Sequence, residues 1–260
     1  MSRRALAGPL LLLLLGAACG PPWYARYGIK DEKDLNSYRA LPGLKTALEK
    51  GSCFDLKFSG EALERIGARA YTIQESMQRA FLRDECRAIQ REPMARALGL
   101  IGKRAFGFLS SQLQSPDLVL RSLGVVGLGQ MRSEGARVVP LLLAAAGAPK
   151  ENAVWSLGVT DPRVAALEGL GHFGARAEPA LPLLVAALAD GDLAPAAARA
   201  LAAIGLARPE VIAGLHAYAL GLGDEEQKRQ VVADLEKLAP GSAKDIPLPP
   251  PKPPKAVKRK

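Results

Sequence analysis

Self-similarity at an interval near 31 residues constrains this chain more than any other feature. Asp117-Leu118-Val119-Leu120-Arg121-Ser122-Leu123, running on to Val126-Gly127, recurs as Asp161-Pro162-Arg163-Val164-Ala165-Ala166-Leu167, running on to Leu170-Gly171. It recurs again from Asp192 through Arg199-Ala200-Leu201 to Ile204-Gly205. The Asp starts lie 44 and 31 residues apart, and an insertion of about 13 residues at 147–160 accounts for the longer interval. A fainter copy ends at Gly102, and another runs from Asp224 to Leu238. A unit this short cannot bury its apolar face alone, so neighbouring copies must stack. Ala and Leu dominate the apolar residues and aromatics are only 5%, which favours helices over strands. The expected fold class is all-α. It is an α-solenoid of four to five helix pairs over residues 89–240, preceded by a small helical region over 34–88. Asp at each start can cap the following helix, and Gly at its end permits a left-handed exit. The polar last copy, with Glu225, Glu226, Lys228 and Arg229, suits the end of a stack.

The N-terminal residues carry an address. Arg3 and Arg4 precede a short apolar run at Leu10–Leu15, and small residues then lead to Cys19. This is the layout of a secretory signal over 1–18, too short to span a bilayer, which takes about 20 residues. Its ending resembles the lipobox of bacterial lipoproteins, although Gly16 stands where Leu is usual. That resemblance implies lipidation at Cys19 and a periplasm-facing, membrane-anchored protein. Cleavage after Ala18 into a soluble periplasmic or secreted protein is the alternative. Residues 19–33 read as a tether whose Trp23, Tyr24 and Tyr27 either lie beside a membrane or pack back on the body. Cys53 and Cys86 are the remaining cysteines. In an oxidising compartment they form a disulfide candidate, with two separate buried thiols as the alternative. Closing a 33-residue loop is worth about 3.7 kcal/mol in the chain-entropy estimate.

Within 34–88, Leu35, Leu41, Leu44 and Leu48 recur at helical intervals, with a stop at Gly51. Cys53–Phe58 alternates and reads as a brief extended segment. Ser59 is then expected to cap a long helix to about Gln90, with Leu63, Ile66, Ala70, Ile73, Met77, Phe81 and Leu82 as its apolar stripe. After Gly241 the Pro- and Lys-rich stretch 241–260 reads as a disordered tail able to touch an anionic surface.

The stretch Asp161–Asp192 resembles the HEAT-like repeats of phycobilisome lyases. It has Asp-Pro and Val before an Ala/Leu-rich helix, then Glu178-Pro179-Ala180-Leu181-Pro182-Leu183-Leu184 in the second. The resemblance covers about 89–240. It implies a surface lined by the second helix of each pair, with Arg121, Arg163, Glu168, His172 and Arg199 as polar candidates for partner binding. Ala165 replaces the usual Arg, so no inter-repeat ion-pair ladder is expected from that position.

The chemistry-bearing inventory is small. His172 and His216 are the two histidines, and no ligand set of metal-site spacing surrounds either. There is no phosphate loop and no nucleophile motif. Gly127-Leu128-Gly129 has no strand before it, and its glycines suit helix packing. No metal and no cofactor is expected, and the chain is expected not to be an enzyme. Net charge is +9. Without Arg3, Arg4 and the tail's net five charges, the body carries about +2, which disfavours nucleic acid as partner. The expectation is a protein–protein scaffold or adaptor of the cell envelope, with an unidentified envelope protein as partner. An accessory or chaperone for a cofactor-carrying protein and a nucleic-acid-binding solenoid are the alternatives. Trp155, on the insertion, is a further candidate partner anchor, or a plug between units.

Overall fold

The computed structural model describes residues 21–150 and 160–248, and all their regular structure is helical. The signal segment, Cys19, Trp155 and the far tail lie outside the described residues. The chain divides into two compact units, 1–97 and 98–260, so the boundary falls inside a repeat helix rather than at 88.

In the first unit, 3-10 turns at Glu32–Asn36 and Tyr38–Ala40 precede α1 (Leu41–Lys50). α2 (Cys53–Ile66), a 3-10 stretch (Gly67–Ile73) and α3 (Gln74–Phe81) follow. Two expectations are corrected here. Cys53–Phe58 is the first part of α2, not an extended segment. Ser52 rather than Ser59 is the cap: its hydroxyl accepts from the Asp55 N–H, and the Asp55 carboxylate accepts from the Ser52 N–H at 2.9 Å. This reciprocal capping box outweighs a short alternating pattern. Ser59 is instead buried within α2. The long helix to Gln90 is also absent, because the backbone leaves the helix at Gly67, whose φ is +65°, a value that favours glycine. The apolar stripe nevertheless packs inward, with Leu63, Met77 and Phe81 fully buried, while Leu82 is exposed. Cys53 and Cys86 are joined by a disulfide, their Cα atoms 5.3 Å apart. It ties the first residue of α2 to the turn after α3.

Residues 21–33 pack back on this unit. Trp23–Tyr27 forms a 3-10 turn that contacts α1. Arg26 donates to Asp55 Oδ1 at 2.7 Å and the Tyr27 hydroxyl donates to Oδ2 at 3.0 Å.

α4 (Ala88–Leu100) carries the chain across the unit boundary. The second unit continues with α5 (Lys103–Gln112), α6 (Leu118–Gly129), α7 (Gly135–Ala146), α8 (Pro162–Gly171), α9 (Leu181–Ala187), α10 (Ala194–Ile204), α11 (Pro209–Gly221) and α12 (Glu225–Leu238). The helices form two rows. α6 packs on α8, α8 on α10 and α10 on α12, while the second helices α9 and α11 pack on each other. α6 closes on α7, and each second helix also packs on the first helix of the next repeat, α7 on α8, α9 on α10 and α11 on α12. Asp117, Asp161 and Asp224 cap their helices through the side chain. Asp192 departs from the pattern: Pro195 sits in the first turn of α10 without a side-chain cap, and Asp190 accepts the Asp192 N–H.

Small residues set the spacing of the first row. A Cβ on Gly129 would sit 2.9 Å from the Gly169 Cα, and one on Gly169 would sit 3.0 Å from the Gly129 Cα. α6 and α8 are therefore in backbone contact, a distance that no larger residue permits. Gly171 approaches the Ala200 Cα on α10 in the same way.

The tail expected from 241 also needs correction. Glu236 accepts the Gly241 and Ala243 N–H groups at 2.7 and 3.0 Å, and Ala243 and Ile246 are buried. His216 Nε2 lies 2.9 Å from Asp245 Oδ1. Paired backbone groups and two buried apolar side chains keep the chain packed through Ile246.

Candidate partner-binding surfaces

The polar candidates read from the sequence all sit on the first helices α6, α8 and α10 or at their ends, not on the second helices. Arg121 donates to the carbonyls of Ser115 and Pro116 at 2.6 and 3.0 Å, closing the loop before its own helix. Arg163 is buried and forks onto Asp161, with Nε and Nη2 bonds to Oδ2 of 3.2 and 2.8 Å. Those hydrogen bonds push its pKa further up, against burial. Asp190 lies 4.0 Å from the same guanidinium, and Asp192 is paired with Lys150. This charge cluster holds the edges of the 147–160 insertion together with Ser122, which donates to the Thr160 carbonyl at 2.6 Å. His172 Nδ1 is 2.9 Å from the Gly129 carbonyl, so its ring bonds the neighbouring helix end.

Glu168 and Arg199 pair at 2.5 Å across 31 residues, and Glu178 pairs with Arg208 across 30. These spacings equal one repeat. Inter-repeat ion pairs therefore exist despite Ala165, carried by other positions. Each is exposed, so each is worth at most about 1 kcal/mol. The structure thus brings Glu168 and Arg199 together and leaves Arg121, Arg163 and His172 with separate structural tasks. Arg163 and Arg199 face carboxylates, which does not suit reading a phosphate backbone.

The second row offers a different surface. Val185, Leu188, Tyr218 and Leu222, with Ala217 and Gly214, line an open groove of about 410 Å³ between α9 and α11. Gly214 keeps its floor low: a Cβ there would come within 3.1–3.2 Å of Leu188 and Val185. Ala217, in the lining, is exposed. Burial and the hydrogen bond acceptor environment differ sharply from the first row, since the lining is apolar apart from the Tyr218 hydroxyl. Burial raises the Tyr218 pKa and its hydroxyl accepts from Gln227 at 2.8 Å. The sequence reading missed these residues because they look like ordinary Ala/Leu helix. Their only signal was Tyr218, a rare aromatic in an aliphatic repeat. Among the described residues no group of three or more His, Cys, Asp or Glu is placed to hold a metal ion.

Two stacked rows with Asp caps and glycine contacts give the chain a HEAT-like helical-repeat fold. Residues 162–190 match the PBS lyase HEAT-like repeat, the stretch on which the resemblance was read. The fold is similar to the complex of CpcE and CpcF of phycocyanin lyase from Nostoc sp. PCC7120, at a TM-score of 0.52 and 23% identity, covering 75% of each chain. None of the curated proteins matches the sequence. The expectation that the chain is not an enzyme is overturned by this likeness: the architecture also builds a lyase assembly, so missing nucleophile, phosphate-loop and metal motifs do not exclude catalysis.

Proposed function

We propose that the protein engages a partner protein through the groove between α9 and α11, as a lyase-type accessory to a cofactor-carrying protein. The groove carries this reading. It is the apolar second-row surface, and such surfaces desolvate readily around an aromatic or aliphatic anchor. The likeness to a lyase complex supports the partner class by analogy of fold. We further propose that the chain is exported and held at the membrane by lipid on Cys19. The arginine pair, the short apolar run and the small residues before Cys19 support this, as does a disulfide suited to an oxidising compartment.

Photo-crosslinking tests the groove. A photoreactive residue at Ala217 is expected to capture a protein bearing a covalent or tightly bound cofactor, while the same residue at Arg199 is not. A cofactor-free envelope protein captured at Ala217 would replace the accessory role with that of an adaptor. Capture only at Arg199 would reject the groove.

A further inference from the structure

The first unit presents a second surface, distinct in chemistry from the groove. Phe54 and Phe58 stand one helical turn apart on α2 and are 66% and 36% exposed. Trp23 stacks on Phe58 with ring centroids 5.8 Å apart and planes at 25°. Tyr24 meets Trp23 edge-on at 6.0 Å. Lys57 Nζ lies 5.2 Å from the Phe58 ring centre. An aromatic content of 5% for the whole chain makes this concentration of rings a local feature that composition does not explain.

The patch is held rigidly. Asp55 is buried and accepts from Arg26, Tyr27 and Ser52, which fixes the Trp23–Tyr27 turn on the start of α2. The disulfide at Cys53 anchors the same helix end. Burial raises the Asp55 pKa, but the hydrogen bonds from Ser52 and Tyr27 and the Arg26 charge outweigh it and hold the carboxyl below its usual range. The platform is therefore charged and intact at neutral pH.

We infer that Trp23, Tyr24, Phe54 and Phe58 form a surface that seats the first unit in the headgroup layer of a phospholipid bilayer. The inference rests on the proposed anchor at Cys19. Trp23 follows Cys19 by four positions, a reach of at most about 14 Å, so a lipid on Cys19 keeps this patch at the membrane. Trp and Tyr favour that depth, where a ring is half in hydrocarbon and half in water. The flanking cations are already paired, Arg26 with Asp55 and Lys57 with Glu61 at 2.7 Å each. Seating is therefore driven by the rings, and zwitterionic lipid suffices. A lipid anchor alone tethers the protein; the patch decides which face of the first unit lies on the membrane.

The test uses the unlipidated chain from Gly20 onward, which contains every described residue, with Trp155→Phe leaving Trp23 as the one tryptophan. On adding phosphatidylcholine vesicles, Trp23 emission is expected to shift to the blue. The Phe54→Ser/Phe58→Ser variant, altered only at exposed rings and checked for unchanged helicity, is expected to partition about tenfold more weakly. Unchanged Trp23 emission at saturating lipid would overturn the inference. So would a blue shift that grows with protein concentration in the absence of lipid, which would mean that a second copy covers the patch. Binding lost on removing residues 249–260 and not in the Phe variant would overturn it too. The mass of the envelope-extracted chain reports on the anchor separately: an unmodified chain whose Trp23 still inserts retires the anchor alone, and a lipidated chain without insertion retires the surface alone.

Discussion

In the second unit Gly129 and Gly169 bring α6 and α8 to backbone contact, while the first unit is held together by long-range side-chain bonds and a disulfide. Asp55 is reached by Arg26, Glu64 by Arg96 at 3.1 Å, Glu49 by Ser76 at 2.7 Å, and the Gly51 carbonyl by Arg83 at 2.9 Å. The partners lie 27 to 32 residues apart. Repetition explains the difference. The repeat places small residues on the facing sides of successive first helices, Gly129 and Gly169 between α6 and α8 and Gly171 and Ala200 between α8 and α10, so close packing continues down the row. The non-repeating first unit also has such approaches, as at Gly60 of α2, where a Cβ would sit 2.9 Å from the Met94 nitrogen of α4, and it adds individual long-range bonds. The contrast extends to the surface, where the second unit shows an aliphatic groove and the first an aromatic patch.

The largest effect expected from breaking this contrast is loss of the disulfide. Cys53→Ser/Cys86→Ser opens a loop of 33 residues and is expected to destabilise the first unit by about 3.7 kcal/mol. Hydrogen exchange should quicken in α1–α3 and not in α6–α12. Next, Gly169→Val forces a side chain against the Gly129 backbone and is expected to cost the second unit about 3 kcal/mol. Its exchange should quicken in α6, α8 and α10, leaving α1–α3 protected.

Asp55→Ala comes third, at about 2 kcal/mol, because it leaves the Ser52 N–H, Tyr27 and Arg26 without their acceptor. The same site gives a pH dependence. The folded Asp55 pKa is depressed below its ordinary value, so its contribution is full above the unfolded carboxylate pKa. It fades as pH falls through the lower, folded pKa. The stability difference between wild type and Asp55→Ala, measured by urea unfolding followed by circular dichroism, should therefore be full at neutral pH and shrink as pH falls through the folded pKa. The smallest effect belongs to Glu168→Gln, expected to cost under about 1 kcal/mol. A loss of several kcal/mol in thermal unfolding would show that the ion pairs, not the glycine contacts, hold the repeats in register.

The repeat was the most legible part of the sequence, because Asp caps and Gly ends recur in fixed places. Asp117, Asp161 and Asp224 cap as expected. Less legible was the start of α2, where a Ser-x-x-Asp box competed with an alternating run, and the end of the fold, where Glu236 reaches past its helix to Gly241 and Ala243. Both depend on where one side chain points. The candidate surface was hardest to read. Charged residues at conspicuous repeat positions drew the sequence reading to Arg121, Arg163 and Arg199, yet these serve loops, caps and inter-repeat pairs. The groove residues Val185, Leu188 and Leu222 resemble core residues in sequence, and only the spacing of α9 and α11 leaves them open. The reach from Asp55 to Arg26 and Tyr27, which fixes the aromatic patch, is likewise a long-range contact with no local signature.

Hydrogen exchange of the complex formed with the protein captured at Ala217 tests the central claim most directly. Slowed exchange in α9 and α11, with α8 and α10 unchanged, is the predicted result and places the partner on the second-row groove. Slowing confined to α6, α8 and α10 would contradict it and return the binding surface to the charged first row.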